Sequence, residues 1–445
     1  MLPQLRRLER RFPAELVVIG VHSPKFPNER ETENLRRAVV RLGIEHPVVN
    51  DRDFVVWQAY AGRAWPTLYF IDPEGKVIGR HEGELPYPAL EALVRDMVAE
   101  LDGLGLIDRR PVSFPREREK LRPSPLAFPG KVLADAATDR LFIADTNNNR
   151  VVVADFAGNV HQVVGSGEAG LVDGPAETAK FSGPQGLALE GSTLFVADTE
   201  NHAVRQVDLV TGYVRTVAGT GDQGRPFSGV RPARETALNS PWDLALLGGR
   251  LYIAMAGCHQ LWVLDLGRRT VEVFAGTGYE GRKDGPRELA WLAQPSGLTT
   301  DGVRLYFAES ETSSIRTVGL EPRAPVVTLV GQDLFVFGDV DGVGPQVRLQ
   351  HPLGVCYYEG VLYVADTYNH KIKRLYPNTR GCYTWLGSGE PGFQDGPGRE
   401  ARFAEPGGIS VAAGRAFIAD TNNHCIRVAD LETGEVRTLR LNFWE

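Results

Sequence analysis

Cysteine is scarce in this sequence and absent from its first half. The 445 residues contain four cysteines, Cys258, Cys356, Cys382 and Cys425, with no Cys-x-x-Cys pair. Disulfide frameworks and zinc sites need closely spaced thiols, so this spacing argues against both. It is typical of a protein in a reducing compartment.

A large excess of one charge sign and a long apolar run are also missing. The chain carries 49 Lys and Arg against 56 Asp and Glu, for a net charge of −7. A nucleic-acid-binding module is usually basic, and a membrane-spanning helix needs roughly 20 consecutive apolar residues. The first residues, MLPQLRRLERRF, lack the apolar core of a signal peptide. We therefore predict a cytoplasmic protein that binds neither nucleic acid nor membranes.

Glycine is abundant, and the last two-thirds of the chain repeats one pattern six times. The pattern is an apolar run that ends in Ala-Asp-Thr, as in LFVADTENHAV (194–204). Its Asp position falls at residues 145, 198, 255, 309, 366 and 420, where Met255 and Glu309 are the exceptions. A proline precedes this position at a nearly constant distance. We predict four short strands per copy, and thus an all-β, six-bladed propeller over residues 126–445.

The polar residues of the repeat fit a structural role. In Asp-x-x-Asn-His, short side chains can bond backbone groups of the turn after the second strand. We therefore interpret Asp198, Asn201, His202 and their counterparts as residues that hold the fold. The third copy departs most, with Met255 and Cys258 at the Asp and Asn positions. We favour neutral drift over a contact site there.

Ligands of propellers usually bind where the innermost strands enter the central channel. The residues around the strand prolines predict this channel mouth: Ser240, Trp242, Asp243, Gln294, His351 and Glu405. The ring is mixed polar and lacks the convergent histidines of a metal-dependent lyase. A cation held by His351, Glu405 and Asp243 is a weaker alternative. We predict no metal and no cofactor, and the pattern identifies no small-molecule ligand.

The first 103 residues have an α/β pattern. Helices are predicted at 2–12, 30–42, 51–61 and 86–101, and strands at 16–21, 47–49, 67–71 and 76–80. The strand LVVIGV (16–21) is apolar throughout, as in buried parallel sheets. Residues 104–125, rich in Pro and Arg, predict a semi-rigid linker.

Both regions resemble known families. The Ala-Asp-Thr-x-Asn-His copies resemble NHL repeats. The segments LPQLRRLERRF, VVIGVHSPKFPNE, HPVVNDRDF and WPTLYFIDPEG resemble the thioredoxin-like domain fused to an NHL propeller in the family of NHL repeat-containing protein 2 and its bacterial relatives. This resemblance implies a mixed fold, with a thioredoxin-like α/β domain at 1–103 before the propeller. It also implies a cis Trp65-Pro66 bond, and a remnant thiol site at Trp65, Pro66 and His22.

The resemblance is incomplete at both ends. The family pattern places a strand and a cysteine-containing turn before LPQLRRLERRF, and its longer members continue into a β-sandwich after the propeller. The missing strand would be the central one, between the strands matching LVVIGV and TLYFI. Each unpaired buried backbone group costs about 1–3 kcal/mol, which a domain stable by roughly 5–15 kcal/mol cannot absorb several times. We expect either a start upstream of Met1, which we favour, or a rearranged, truncated domain.

The functional prediction is a non-catalytic protein-interaction scaffold that binds a protein client or partner. In this hypothesis the chain contains no catalytic residue. The alternative is a thiol–disulfide oxidoreductase whose cysteine motif lies upstream of Met1 and whose propeller binds the client. A propeller lyase or hydrolase and an RNA-binding propeller are less favoured, because clustered histidines and a basic charge are both missing.

Overall fold

The chain folds into two compact units, Met1–Pro123 and Ser124–Glu445. The computed structural model describes residues 1–110, 112–120 and 123–443. Outside the described residues lie Pro111, Leu121 and Arg122 of the predicted linker, and Trp444 and Glu445. Among the helices that the structure describes, none has the length and apolarity to span a membrane.

The first unit contains helices and two small sheets. Its helices are α1 (Leu2–Arg11), α2 (Thr32–Arg41), α3 (Val55–Ala59) and α4 (Tyr87–Gly103), with 3-10 turns at Pro27–Arg30 and Glu117–Lys120. Its strands are β1 (Gly20–His22), β2 (Val48–Asn50), β3 (Thr67–Ile71) and β4 (Val77–Glu82). β1 pairs with β2 in parallel, and β3 pairs with β4 in antiparallel register. The two pairs are separate sheets.

The core of the first unit is small. Leu8 and Phe12 at the end of α1 pack with Leu90 and Val94 of α4, and side chains of β3 complete the cluster. The Trp65-Pro66 bond before β3 is cis, in agreement with the prediction. This core therefore covers one face of β3 and leaves the β1–β2 pair outside it.

The prediction of a fully buried strand at 16–21 is wrong. Only Gly20–His22 pair as a strand, and the side chains of Val17, Ile19 and Val21 are exposed by 51%, 60% and 45%. Within the described residues β1 has one strand neighbour, β2. Without a second neighbour, the residues before Gly20 have no ladder to join, and the apolar face of the strand stays open.

The second unit is a ring of six four-stranded antiparallel blades, which confirms the six-bladed propeller. From the innermost strand outward, the strands are Val132–Asp135, Arg140–Asp145, Arg150–Ala154 and Val160–Val164 in blade 1; Pro184–Glu190, Thr193–Asp198, Ala203–Asp208 and Val214–Ala218 in blade 2; Pro241–Leu247, Arg250–Met255, Gln260–Asp265 and Thr270–Ala275 in blade 3; Pro295–Thr300, Arg304–Glu309, Ser314–Gly319 and Pro325–Val330 in blade 4; Gly354–Tyr358, Val361–Asp366, Lys371–Tyr376 and Gly381–Leu386 in blade 5; and Pro406–Ala412, Arg415–Asp420, Cys425–Asp430 and Glu435–Leu439 in blade 6.

Short elements complete the blades. Two-residue strands extend the outer edges of blades 3 to 6, at Arg231–Pro232, Gly285–Pro286, Gly342–Val343 and Gly396–Pro397. A 3-10 turn follows the second strand at Thr146–Asn148, Thr199–Asn201, Ala256–Cys258, Thr367–Asn369 and Thr421–Asn423, and further 3-10 turns lie at Ala233–Glu235, Gly344–Gln346 and Gly398–Glu400.

Apolar packing between neighbouring blades forms the core of the propeller. Phe142 of blade 1 lies in one buried cluster with Phe181 and Leu194 of blade 2. The last blade closes on the first in the same way, since Phe417 clusters with Ile143. Backbone hydrogen bonds reinforce this closure, because the amide of Asn442 donates to the carbonyl of Gly158 at 2.8 Å. Each blade is continuous in sequence, so the ring closes without an exchanged strand.

The open face of β1 generates a testable prediction. The Ile19→Thr/Val21→Thr variant should lower the fluorescence of a bound hydrophobic dye, because it removes exposed apolar surface from one contiguous face. Val210→Thr is the matched control, since Val210 is 80% exposed and belongs to the second unit. Equal dye binding by the native chain and the double variant would contradict the open face.

Candidate functional site

The motif Asp of each typical blade is a buried anchor for the backbone. In blade 2, Asp198 accepts the amide of Ser182 through Oδ1 at 2.7 Å. Its Oδ2 accepts Asn201 Nδ2 and Arg205 Nη1, both at 2.8 Å. Arg205 is fully buried and also donates to Asp173 Oδ1 at 2.9 Å. An Asp–Arg–Asp triad thus joins the turn to the loop that enters the blade.

The same triad recurs around the ring. Arg316 joins Glu309 to Asp284, Arg427 joins Asp420 to Asp395, and Lys373 lies between Asp366 and Asp341. Burial raises the pKa of Asp198, Asp366 and Asp420 to about 6, against the attraction of the neighbouring cation. Four equivalent copies, in each of which a buried carboxylate is paired with a cation, support the structural interpretation of the motif.

A second contact joins each blade to the next. The residue before each inner-strand proline has a positive φ, from 49° at Phe128 to 60° at Gly183. Its amide donates to the last residue of the preceding blade's turn. The six pairs are Phe128 to His424 Nδ1, Gly183 to Asn149 Oδ1, Ser240 to His202 Nδ1, Gln294 to His259 Nδ1, His351 to Ser313 Oγ and Glu405 to His370 Nδ1, at 3.0–3.2 Å. We call these contacts the blade joints. The motif histidine therefore bonds across blades, where the sequence predicted a bond within its own turn.

Blade 3 replaces the triad with an apolar cluster. Met255 stands at the Asp position and Trp262 at the Arg position, and both are fully buried. Met255 Sδ takes over as acceptor for the amide of Asn239 at 3.3 Å. Phe227 packs its ring edge-on against Trp262, with 4.7 Å between centroids. Apolar residues occupy both the Asp and the Arg positions of blade 3 and pack against each other in the core. This packing explains why blade 3 departs from the repeat without invoking a contact site.

A buried ion pair lies in the central channel. Lys131 of blade 1 reaches Asp243 of blade 3, with 3.2 Å between Nζ and Oδ2. The same ammonium donates to the carbonyl oxygens of Ser296, at 2.9 Å, and Leu353. Asp243 Oδ2 also accepts the amide of Leu298 at 3.0 Å. The pair thus ties blades 1, 3, 4 and 5 together across the ring axis, and we call it the channel tie.

Close approach of the inner strands explains why only two blades contribute a side chain to the channel tie. The position two residues after the proline is Gly186, Gly297, Gly354 or Gly408 in the other four blades. A Cβ at Gly186 would lie 2.4 Å from Asp243 Cα, and one at Gly408 would lie 2.8 Å from the carbonyl oxygen of Gly130. Beside the tie lies a cavity of about 230 Å³, lined by inner-strand residues of all six blades.

The predicted mouth residues lie in blades 3 to 6, around the ring axis. Asp243 lines the channel cavity and is held by Lys131. Ser240, Gln294, His351 and Glu405 are equivalent blade-joint residues that belong to four different blades. Trp242 is half-buried beside Asp243. A binding role for this ring stays a prediction.

The side chains that could hold a metal are dispersed or engaged. Among residues 1–110, 112–120 and 123–443, no three His, Cys, Asp or Glu side chains are grouped to hold a metal ion. The weaker cation hypothesis therefore gains no support, since Asp243 is paired with Lys131 and His351 stacks on Tyr368 at 4.3 Å. The four thiols are free, and burial raises the pKa of Cys356 to about 11 and of Cys258 to about 12. Such thiols are poor nucleophiles at neutral pH.

The first unit gathers a second group of predicted residues. Trp65 stacks on Trp57, with ring centroids 4.4 Å apart, and its Nε1 donates to the carbonyl of Ser23 at 2.8 Å. The Ser23 hydroxyl donates to buried Asp51 at 2.7 Å. Burial opposes the charge of Asp51, but this bond and the amides at the start of α3 hold its pKa below the usual value. His22 ends β1, and its buried Nε2 has no hydrogen-bond partner among the described residues.

Sequence reasoning missed the basic members of both ion networks. Lys131 and Arg205 were not singled out, although signals for them exist. A basic residue lies seven positions after the acidic one in four copies, and Pro-x-Gly becomes Pro-Gly-Lys or Pro-Trp-Asp in the two blades of the tie. Both signals need the six copies to be aligned position by position.

Comparison with known proteins agrees with this architecture. The family model of the NHL repeat matches residues 349–375 and 403–429. The chain is 42% identical over 454 residues to Protein SUPPRESSOR OF QUENCHING 1, chloroplastic, of Arabidopsis thaliana, covering 98% of this chain and 43% of that protein. It is 40% identical over 475 residues to NHL repeat-containing protein 2 of Homo sapiens, covering 99% of this chain and 65% of that protein.

The chain contains NHL repeats. The resemblance to NHL repeat-containing protein 2 is thereby confirmed. A shorter similarity, 37% identity over 83 residues, relates 19% of the chain to 12% of Protein DipZ of Mycobacterium tuberculosis. The chain spans between two-fifths and two-thirds of the length of the two long relatives.

The triads of the NHL propeller generate a prediction about stability. Arg205→Met should lower the free energy of unfolding by about 3–5 kcal/mol, because it leaves Asp198 buried without its cation. Asp198→Met/Arg205→Met should cost less than the single change, since no charge stays buried and blade 3 already uses Met at the Asp position. Denaturant unfolding of the full chain measures both.

Arg150→Met is the matched control for the Arg205→Met variant. Arg150 pairs with Asp145 in blade 1, but its side chain is 25% exposed. Water can therefore solvate the exposed end of that site after substitution, and the loss should be smaller than for Arg205→Met. A double variant as unstable as Arg205→Met, or more so, would contradict the role assigned to the triad.

Proposed function

We propose that this protein is a non-catalytic interaction scaffold, in which the NHL propeller is a rigid platform and a thioredoxin-like first unit docks an extended segment of a partner protein. The observation that carries the proposal is the open edge of β1. In the described residues β1 pairs on one side only, and β3 belongs to a separate sheet. Around this edge Val17, Ile19, Val21 and Val49 are exposed.

The backbone of β1 supports docking by strand addition. The amide of Gly20 donates to the carbonyl of Pro47, and the carbonyl of His22 accepts the amide of Asp51, both at 2.9 Å. Gly20 and His22 therefore face β2. Because alternate residues of a strand direct their amides to opposite sides, the amide and carbonyl of Val21 face the open edge. An extended partner segment can pair there while its apolar side chains cover the exposed valines.

The chemistry of the propeller supports a role without catalysis. Most of its buried acids are held in ion pairs, in the triads or in the channel tie, and its motif histidines are acceptors in the blade joints. Burial disfavours the thiolate of its cysteines. The groups that could act as bases or nucleophiles in a channel site are thus committed to the fold.

A second candidate is a thiol–disulfide oxidoreductase, favoured by the surroundings of Trp65. The Trp65-Pro66 pair lies beside the end of β1, held by the bond from Trp65 Nε1 to the Ser23 carbonyl. In this candidate a further segment, additional to the present sequence, supplies two cysteines next to this loop. Their oxidation to a disulfide would accompany reduction of a client disulfide to two thiols.

Site-specific photo-crosslinking tests the scaffold. A photoreactive amino acid at Ile19 should capture a partner protein in cells, and the same group at Val210 should not. Val21→Pro should abolish the Ile19 adduct, because proline removes the amide that faces the open edge while the pairing of Gly20 and His22 with β2 is kept. Equal adducts at both sites, or adducts that survive Val21→Pro, would contradict strand addition.

A disulfide-reduction assay separates the two candidates. With dithiothreitol as the reductant, the 445-residue chain should reduce insulin disulfides no faster than dithiothreitol alone, because desolvation raises the pKa of all four of its thiols. Catalysis by this chain would contradict the scaffold hypothesis. Catalysis that appears only in a longer chain with added cysteines would favour the oxidoreductase.

A further inference from the structure

The six blade joints differ in the chemistry of the acceptor. Four are closed by a histidine Nδ1, at His202, His259, His370 and His424. The other two are closed by Asn149 Oδ1 and Ser313 Oγ. A ring nitrogen accepts a hydrogen bond only when it carries no proton, so the four imidazoles must be neutral in the closed joint. Amide and hydroxyl oxygens carry no such condition.

We propose that the propeller is an acid-sensitive ring, in which protonation of these four histidines loosens four of the six blade joints and leaves the joints at Asn149 and Ser313 closed. The proposal rests on the geometry of the joints and goes beyond the scaffold function. In an imidazolium both nitrogens carry a proton. The N–H group at Nδ1 would then face the backbone N–H group from which Nδ1 had accepted its hydrogen bond. The joint must then open or lose its hydrogen bond.

The surroundings of His202 oppose protonation in the closed state. The ring is buried, and burial lowers its pKa to about 4. The carboxylate of Asp222, on the loop that leads to blade 3, acts in the other direction. An exposed histidine has a pKa of about 6.5. Opening of the joint exposes the ring, which then takes up a proton at a pH between about 4 and about 6.5, where the closed ring stays neutral.

The other three rings accept their hydrogen bonds from residues that differ in side-chain chemistry. His370 accepts from Glu405, whose carboxyl group is the titratable group carried by that donor. His259 accepts from uncharged Gln294. His424 accepts from Phe128, whose ring also packs edge-on against the imidazole at 4.2 Å. Each ring thus faces the backbone amide across the joint.

The direction of the pH effect follows from linkage. Below about pH 6.5 the open joint binds a proton that the closed joint excludes, so acid favours opening. The buried acids of the triads shift in the opposite direction, because burial raises the pKa of Asp198 to about 6 and the folded state gains protons on acidification. Melting of the whole protein mixes the two effects, so a local readout is needed.

Hydrogen exchange at the donor amides provides that readout, with internal controls in the same molecule. Protection factors, corrected for intrinsic exchange, should be compared at pH 7.5 and pH 5.5. At Ser240 the protection should fall about tenfold, from a closed-state pKa of about 4 against about 6.5 when open. Gln294, Glu405 and Phe128 should fall as well. Gly183 and His351 should keep their protection.

Two results would overturn the proposal: equal loss at all six amides, and unchanged protection at Ser240. The His202→Asn variant adds a separate test. Blade 1 shows that asparagine can close this joint, so the variant should keep the Ser240 amide protected at pH 7.5 and remove its pH dependence. Retained pH dependence in this variant would show that another group titrates. The comparison of the six amides in the unchanged protein does not depend on the variant.

Discussion

The propeller depends on one recurring constraint, the satisfaction of backbone amides where the chain enters each inner strand. The residue before the strand proline has a positive φ in all six blades, a conformation that costs a non-glycine residue about 1–3 kcal/mol. Its amide points at the preceding blade, where a side chain of that blade's turn accepts it. A ring with six such contacts fixes every blade against its neighbour. The polar motif therefore fixes each blade to the next, and apolar side chains pack between the blades.

The blades solve the remaining electrostatic problem in two ways. Most blades contain a triad, in which a buried cation pairs with two acidic side chains. Blade 3 contains Met255, Trp262 and Phe227 in place of the triad. Both solutions leave no buried charge unpaired, which is the condition that matters energetically. The channel tie of Lys131 and Asp243 obeys the same condition on the ring axis. A binding site is therefore more readily formed on the surface or at a strand edge than among the paired polar groups of the interior.

The two units differ in how completely they satisfy their own backbone. Every inner strand of the propeller lies between a second strand and the neighbouring blades. In the first unit β1 has a single strand partner within the part of the chain that the structure describes, and its apolar face is open. This contrast is the physical basis for assigning the docking role to β1. It also explains why an apolar segment, 16–21, that reads as a buried strand forms only three paired residues.

The sequence by itself determined the repeat, the blade count and the structural role of the Asp-x-x-Asn-His turn, because each depends on local spacing and composition, whereas the cis bond before Pro66 was implied by the family resemblance. Only the tertiary structure decided that His202 closes a joint with the next blade, that Lys131 meets Asp243 across the channel, and that Met255 belongs to a core exchange. The first two pairs lie 38 and 112 residues apart, and local patterns carry no information about such distances.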